Sequence, residues 1–154
     1  MLLNKSKKFS IQSRLFLKYH FEFLWKSSLQ DDILPFPLDG IMIKIIDQKI
    51  SEAEVRSFLG KPHTEVVKFV IDLKTGMMAL GGEMHADGEA MLLERESRQE
   101  NLWGANYYPN RPKEERIEYV SFINIRPSAR NFSMEVMDPA LRERIKSAAE
   151  KIFP

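Results

Sequence analysis

The chain has 154 residues, 44% of them hydrophobic, with 23 basic against 22 acidic side chains and no cysteine. That is enough apolar content for one buried core, while a net charge of +1 is too balanced to hold a polyanion by bulk attraction, so no nucleic-acid partner is expected. The lack of cysteine removes disulfides, thiolate metal sites and cysteine nucleophiles together and fits a reducing compartment, and no apolar run reaches the roughly 18 residues that span a bilayer. The expected class is a cytoplasmic globular domain.

The charge is unevenly spread. Residues 1–29 carry six basic side chains against Glu22 alone, and residues 1–41 hold half of the ten Phe but no Ala or Val. Leu17, Tyr19, Phe21, Phe23 and Trp25 alternate with Lys18, His20, Glu22 and Lys26 at a period of two, broken at Leu24. The same stretch lacks Gly and Pro, so a basic amphipathic helix or membrane-surface segment stays open beside a strand. Arg14 and Lys18 interrupt any secretory signal, and the resemblance to a transit peptide is loose. The preferred reading is a non-domain extension over 1–41, upstream of a natural start at Met42, with Pro35-Phe36-Pro37 as linker.

From Met42 the chain predicts the order β-α-β-β-α-β-β-α. Met42–Asp47 is an apolar strand. Ser51 and Glu54 form a capping box for a helix that buries Val55, Phe58 and Leu59 and stops at Gly60. Val66–Leu73 and Met77–Gly82 pair across Lys74-Thr75-Gly76, which suits a turn closed by a left-handed glycine. Asp87 is placed to cap a helix over about Gly88–Glu96. Further strands are expected at Leu102–Tyr108 and Ile117–Arg126, and the SARNFSMEVM segment reads as a loop. Asp138-Pro139 then opens a last helix whose stripe is Leu141, Ile145, Ala148, Ala149, Ile152 and Phe153. The fold class is α+β, a small antiparallel or mixed sheet with helices on one face.

Chemistry concentrates at Glu83, His85, Asp87 and Glu89. Alternate residues of an extended segment share one face about 6.6 Å apart, and His85 and Glu89 share a helix face at i, i+4. His85, Asp87 and Glu89 are therefore the candidate ligands of a divalent metal, and His85 with Glu83 the candidate acid/base pair. The ordinary alternatives are a cap, a dipole partner and a packed histidine. Gly81-Gly82 before a helix suggests a phosphate cradle, but three carboxylates stand where the anion would sit. At an effective dielectric of about 20 each such contact at about 4 Å costs about 4 kcal/mol. The two glycines read instead as a bend out of the strand, beside a field that favours a cation or a hydrogen-bond donor.

Trp103, Tyr107 and Tyr108 either line a pocket or fill the core. Asn124 and Arg126 fall on one face of their strand with Val120 and Phe122. Arg126 there either pairs with an acidic neighbour or holds a carboxylate ligand, with Asn106 beside it. Ser121 and Ser133 lack any nucleophile motif.

At LKTGMMALGGEMHADGEAMLLE, QENLWGANYYP and FINIRPSARNFSMEVMDP the chain resembles a family of small uncharacterised bacterial proteins. Their pattern is LxxxxMALGGExHADxExxLLExGSxQxDLWGxNxYP and then SLINIRPxxxNxSxxVxDPxIR. Arg98 and Phe122 depart mildly from it. The resemblance covers about Met42–Pro154 and implies membership and extent, with no assigned activity.

Two functions compete. One is a small ligand-binding or regulatory module built from Gly81, Gly82, Glu83, His85, Asp87, Trp103, Asn106, Asn124 and Arg126. The other is a metal-assisted or acid/base hydrolase that uses His85 and the neighbouring carboxylates. A homo-oligomer would show as a large exposed apolar face.

Overall fold

A computed structural model describes residues 42–60 and 63–154; the expectations for residues 1–41 lie outside them. Five strands form one antiparallel sheet in the order β1-β3-β2-β4-β5. They are β1 (Ile43–Ile46), β2 (Val67–Asp72), β3 (Met78–Gly81), β4 (Leu102–Tyr107) and β5 (Ile117–Glu118). The helices are α1 (Glu52–Ser57), α2 (His85–Glu94) and α3 (Pro139–Ile152). The α+β class and the element order are as the sequence predicts.

The helices do not share a face, which corrects the one-sided expectation. Val67, Phe69 and Ile71 of β2, with Met78 and Leu80 of β3, meet Val55 of α1 and Ile145, Ala149 and Ile152 of α3. The alternate residues Val70 and Ala79 point the other way and pack with Ile45, Leu102 and Leu92 of α2. Small side chains there, with Gly88 on the helix, bring α2 down onto the sheet. A Cβ at Gly88 would lie 3.1 Å from both Ala79 and Val70, tighter than packed side chains normally approach.

Local signals set the element ends. Ser51 Oγ accepts from the Glu54 amide at 3.2 Å, but the Glu54 carboxylate turns to Lys44 at 3.0 Å, so only half of the capping box forms. Asp72 Oδ1 accepts from the amides of Lys74 (2.8 Å) and Thr75 (3.3 Å) and pins the hairpin turn, where Gly76 has φ of +83°. Asp138 Oδ1 caps α3 through the Ala140 amide at 2.8 Å, as predicted.

The predicted Ile117–Arg126 strand is the main departure. Pairing ends at Glu118, and residues Phe122–Asn124 form a short 3-10 helix. Phe122 is 77% exposed whereas Asn124 is fully buried, so the two do not share a face. The physical reason lies in the Asn124 side chain. Its Oδ1 accepts from Gly104 N and its Nδ2 donates to Gly104 O, both at 2.9 Å. The side-chain amide thus makes the two bonds that a longer fifth strand would have made with β4. Gly104 is required for this approach, since a Cβ there would stand 2.7 Å from Ser121 Cβ and Oγ.

Asn131 holds the segment in place, donating to the carbonyls of Asn124, Ser133 and Glu135 and accepting from Met137 N. The predicted SARNFSMEVM loop is therefore tied down. It contains a 3-10 turn at Pro127–Ala129 and a two-bond bridge between Arg126 and Asn131.

Asn124→Ala orphans a buried donor and a buried acceptor on Gly104. It should lower the unfolding free energy by about 2–4 kcal/mol, measured by urea denaturation. A loss below about 1 kcal/mol would mean that this amide does not close the sheet edge.

Candidate functional site

Gly81 and Gly82 end β3 with φ of +95° and +84°, and Gly82 N donates to Met42 O at 3.0 Å. A Cβ on Gly81 would fall 2.2 Å from that carbonyl, so the chain turns out of the sheet here only because Gly81 has none. The bend delivers His85 to the first position of α2. Asp87 is not the residue before the helix, as predicted, but sits in its first turn. Its Oδ2 accepts from Met84 N at 2.9 Å, so it caps from within and α2 starts three residues earlier.

His85 is buried, and its Nε2 lies 2.9 Å from Ala105 O. A carbonyl only accepts, so Nε2 carries the proton and donates. Burial pulls the ring from 6.5 down to about 4, and Lys68 and His63 add to that lowering. The Ala105 carbonyl and the Asn106 amide oppose it without reversing it. At neutral pH the ring is neutral.

Beside His85 three polar residues form a row across the sheet. Lys68 of β2 is opposite Asn106 of β4, which is opposite Glu118 of β5. Asn106 Nδ2 donates to Glu118 Oε2 at 2.9 Å and reaches Val120 O at 3.5 Å. Those two acceptors fix the orientation of the amide, because a flip would set its oxygen against a carboxylate. Asn106 Oδ1 is consequently buried with no hydrogen-bond partner. Tyr108 OH also donates to Glu118 Oε2, at 3.0 Å. Burial raises the Tyr108 hydroxyl pKa, and Glu118 raises it further. Burial lowers Lys68, and Glu118 partly restores it. The row thus runs from cation through amide to carboxylate, with an open acceptor at its centre.

The other predicted residues are placed elsewhere. Glu83 is exposed, and its carbonyl oxygen accepts from His63 Nε2 at 3.0 Å. Trp103 packs in the core on the α3 side. Arg126 is buried and donates to the carbonyls of Ile123 and Gln99. It pairs with Glu89 at 3.3 Å and lies 5.0 Å from the Trp103 ring centroid. It is thus a buried structural ion pair joining α2 to the segment after β5, and its partner is the acidic cluster, in line with one of the two sequence readings. Asn124 is used in full by Gly104 and Met134 O.

His85, Asp87 and Glu89 therefore each serve a different partner. Among the described residues no group of three or more His, Asp or Glu side chains is placed to hold a metal ion. Of the residues singled out from sequence, His85 and Asn106 come together, and Tyr108 joins them through Glu118. Lys68 and Glu118 escape sequence reasoning, because on strands they read as ordinary solvent-facing positions. The polar alternation at these two residues is the signal that could have found them.

A model of the family described as "Protein of unknown function (DUF5674)" matches residues 44–152. The chain belongs to that family. No curated protein and no solved structure matches it. The family match spans every strand and helix except the first residue of β1, and it contains the whole polar row. No helix among the described residues is long and apolar enough to cross a membrane.

The neutral state of His85 makes stability depend on pH. The unfolded chain protonates near 6.5 and the folded one only near 4, so the unfolded state takes up the proton first as pH falls. The contribution is complete above about pH 6.5 and is lost progressively between there and about pH 4. Denaturation at about pH 7.5 and about pH 5 should show a loss of about 2 kcal/mol from this group. His85→Gln should remove that part of the dependence, and an unchanged slope in the variant would contradict the assignment.

Proposed function

We propose that this domain is a small-molecule-binding module whose site is the row of Lys68, Asn106 and Glu118 beside His85. The observation that carries the reading is Asn106 Oδ1, a buried acceptor without a hydrogen-bond partner, in a side chain close enough to His85 to favour the charged ring. Leaving such an atom unpaired costs about 1–3 kcal/mol, which a ligand donor would recover. Sites for small molecules combine a few fixed polar groups with an apolar surround.

The chemistry of the row selects the ligand. An N–H or O–H donor is needed for Asn106 Oδ1, with Glu118 able to accept a second. Lys68 offers a cation to a carboxylate or carbonyl on the same molecule. The complementary ligand is a small polar compound with a donor beside an acceptor, in the manner of an amino acid or a primary amide.

His85 supports binding better than catalysis. A base works best with a pKa near the working pH, and burial holds this ring at about 4. Its one N–H is already committed to Ala105. Neither Ser121 nor Ser133 is set up as a nucleophile, since Ser121 Oγ accepts from Ile123 N at 3.3 Å and Ser133 Oγ accepts from Glu135 N at 3.1 Å.

Amide NMR spectra of the protein titrated with amino acids, primary amides, carboxylates and amines test the reading. The first two classes should shift Lys68, His85, Asn106 and Glu118 together, and Asn106→Leu should abolish the response while keeping the fold. Shifts that avoid these four residues for every class would sink the proposal.

A further inference from the structure

A second region is chemically unlike the first and lies on the opposite face of the sheet. A cavity of about 370 Å³ opens between α3 and the β5 edge, within the size range of small-molecule pockets. Tyr107, stacked on Phe153 with centroids 3.8 Å apart, forms part of its floor with Ile117 and Tyr119. The walls carry five cations, Lys49, Lys113, Arg116, Arg142 and Lys146. Three carboxylates, those of Glu114, Glu143 and Glu150, share the lining.

The cations are unequally engaged. Arg142 pairs with Glu135 at 2.7 Å, and Arg116 is held by Arg111 O and the Tyr107 hydroxyl. Lys49, Lys113 and Lys146 make no ion pair or hydrogen bond with the described residues. They come from three separate places in the chain: the segment after β1, the β4–β5 connection and α3. Such convergence of free ammonium groups on a concave, partly apolar wall focuses a positive potential.

We infer that this cavity binds a ring-bearing monophosphate, of the size and character of a nucleoside monophosphate. The free lysines would take the phosphate, Tyr119 and Ile117 would pack against the ring, and the carboxylates would accept from its hydroxyl or amino groups. The mixed charge of the wall is what distinguishes this ligand from a bare anion, which Glu114, Glu143 and Glu150 would repel.

Titration of the full chain with adenosine monophosphate at low ionic strength, monitored by calorimetry and amide NMR, tests the inference. Binding should shift Ile117, Tyr119 and Lys146 and weaken as salt is added. The Lys113→Glu, Lys146→Glu double variant should weaken it by at least about tenfold, with Lys113→Gln, Lys146→Gln as the milder pair if the reversal fails to fold. Adenosine and inorganic phosphate alone should each bind more weakly than the monophosphate. Asn106→Leu, on the other face, should leave the affinity unchanged. Absence of binding, equal binding of inorganic phosphate, affinity indifferent to both lysine pairs, or a loss in Asn106→Leu would each overturn it.

Discussion

The structure depends on one side-chain amide that stands in for a strand. β5 contributes only Ile117 and Glu118 to the sheet, which would leave most of the outer edge of β4 unpaired. Asn124 covers that edge at Gly104 with two hydrogen bonds of 2.9 Å. An exposed strand edge is a template for unwanted pairing, and an unpaired buried peptide is costly. The single residue removes both problems. It also sets the path of the next few residues, since the chain leaving Asn124 brings Arg126 to Glu89 and locks α2 against the far side of the sheet.

The polar row arises from the same geometry. α2 covers the sheet from its β1 side as far as Leu102, and the segment around Asn124 covers the edge of β4. Between them, the register Lys68–Asn106–Glu118 carries polar side chains where Val70, Ala79 and Leu102 are apolar further along. A sheet buried on both faces rarely spends three adjacent cross-strand positions on polar groups without pairing all of them. Asn106 and Glu118 satisfy each other, and one acceptor remains open. That imbalance separates a candidate site from a structural network such as Asn124–Asn131, in which every amide atom has a partner.

What was legible in the sequence was local. The Asp72–Gly76 turn, the Asp138-Pro139 helix start and the Gly81-Gly82 bend involve residues a few positions apart, and their backbone demands show in residue type alone. The strand predicted over Ile117–Arg126 failed because its apolar alternation was genuine while its hydrogen-bond partner was not. Asn124, inside that segment, bonds Gly104 twenty residues away through its side-chain amide instead of its backbone, and no periodicity reports such a substitution. The two-sided sheet was partly legible, since Val70 and Ala79 are apolar between apolar neighbours. A half-exposed strand would have carried polar residues there. For the site, His85 and Asn106 stood out as residue types, whereas Lys68 and Glu118 gained meaning only from strand register. The acidic cluster around His85 promises more in sequence than the fold delivers: His85, Asp87 and Glu89 are neighbours along the chain that a bend and a helix then point at separate partners, while Glu83 stays exposed.

If Asn106 Oδ1 is an acceptor kept open for a ligand, a high-resolution crystal structure of the protein soaked with the tightest-binding amino acid or amide should reveal it. Ligand density should appear with a donor within hydrogen-bond distance of Asn106 Oδ1 and an acceptor facing Lys68. An amide rotated to satisfy Oδ1 from within the protein, with no ligand over the row, would contradict that role.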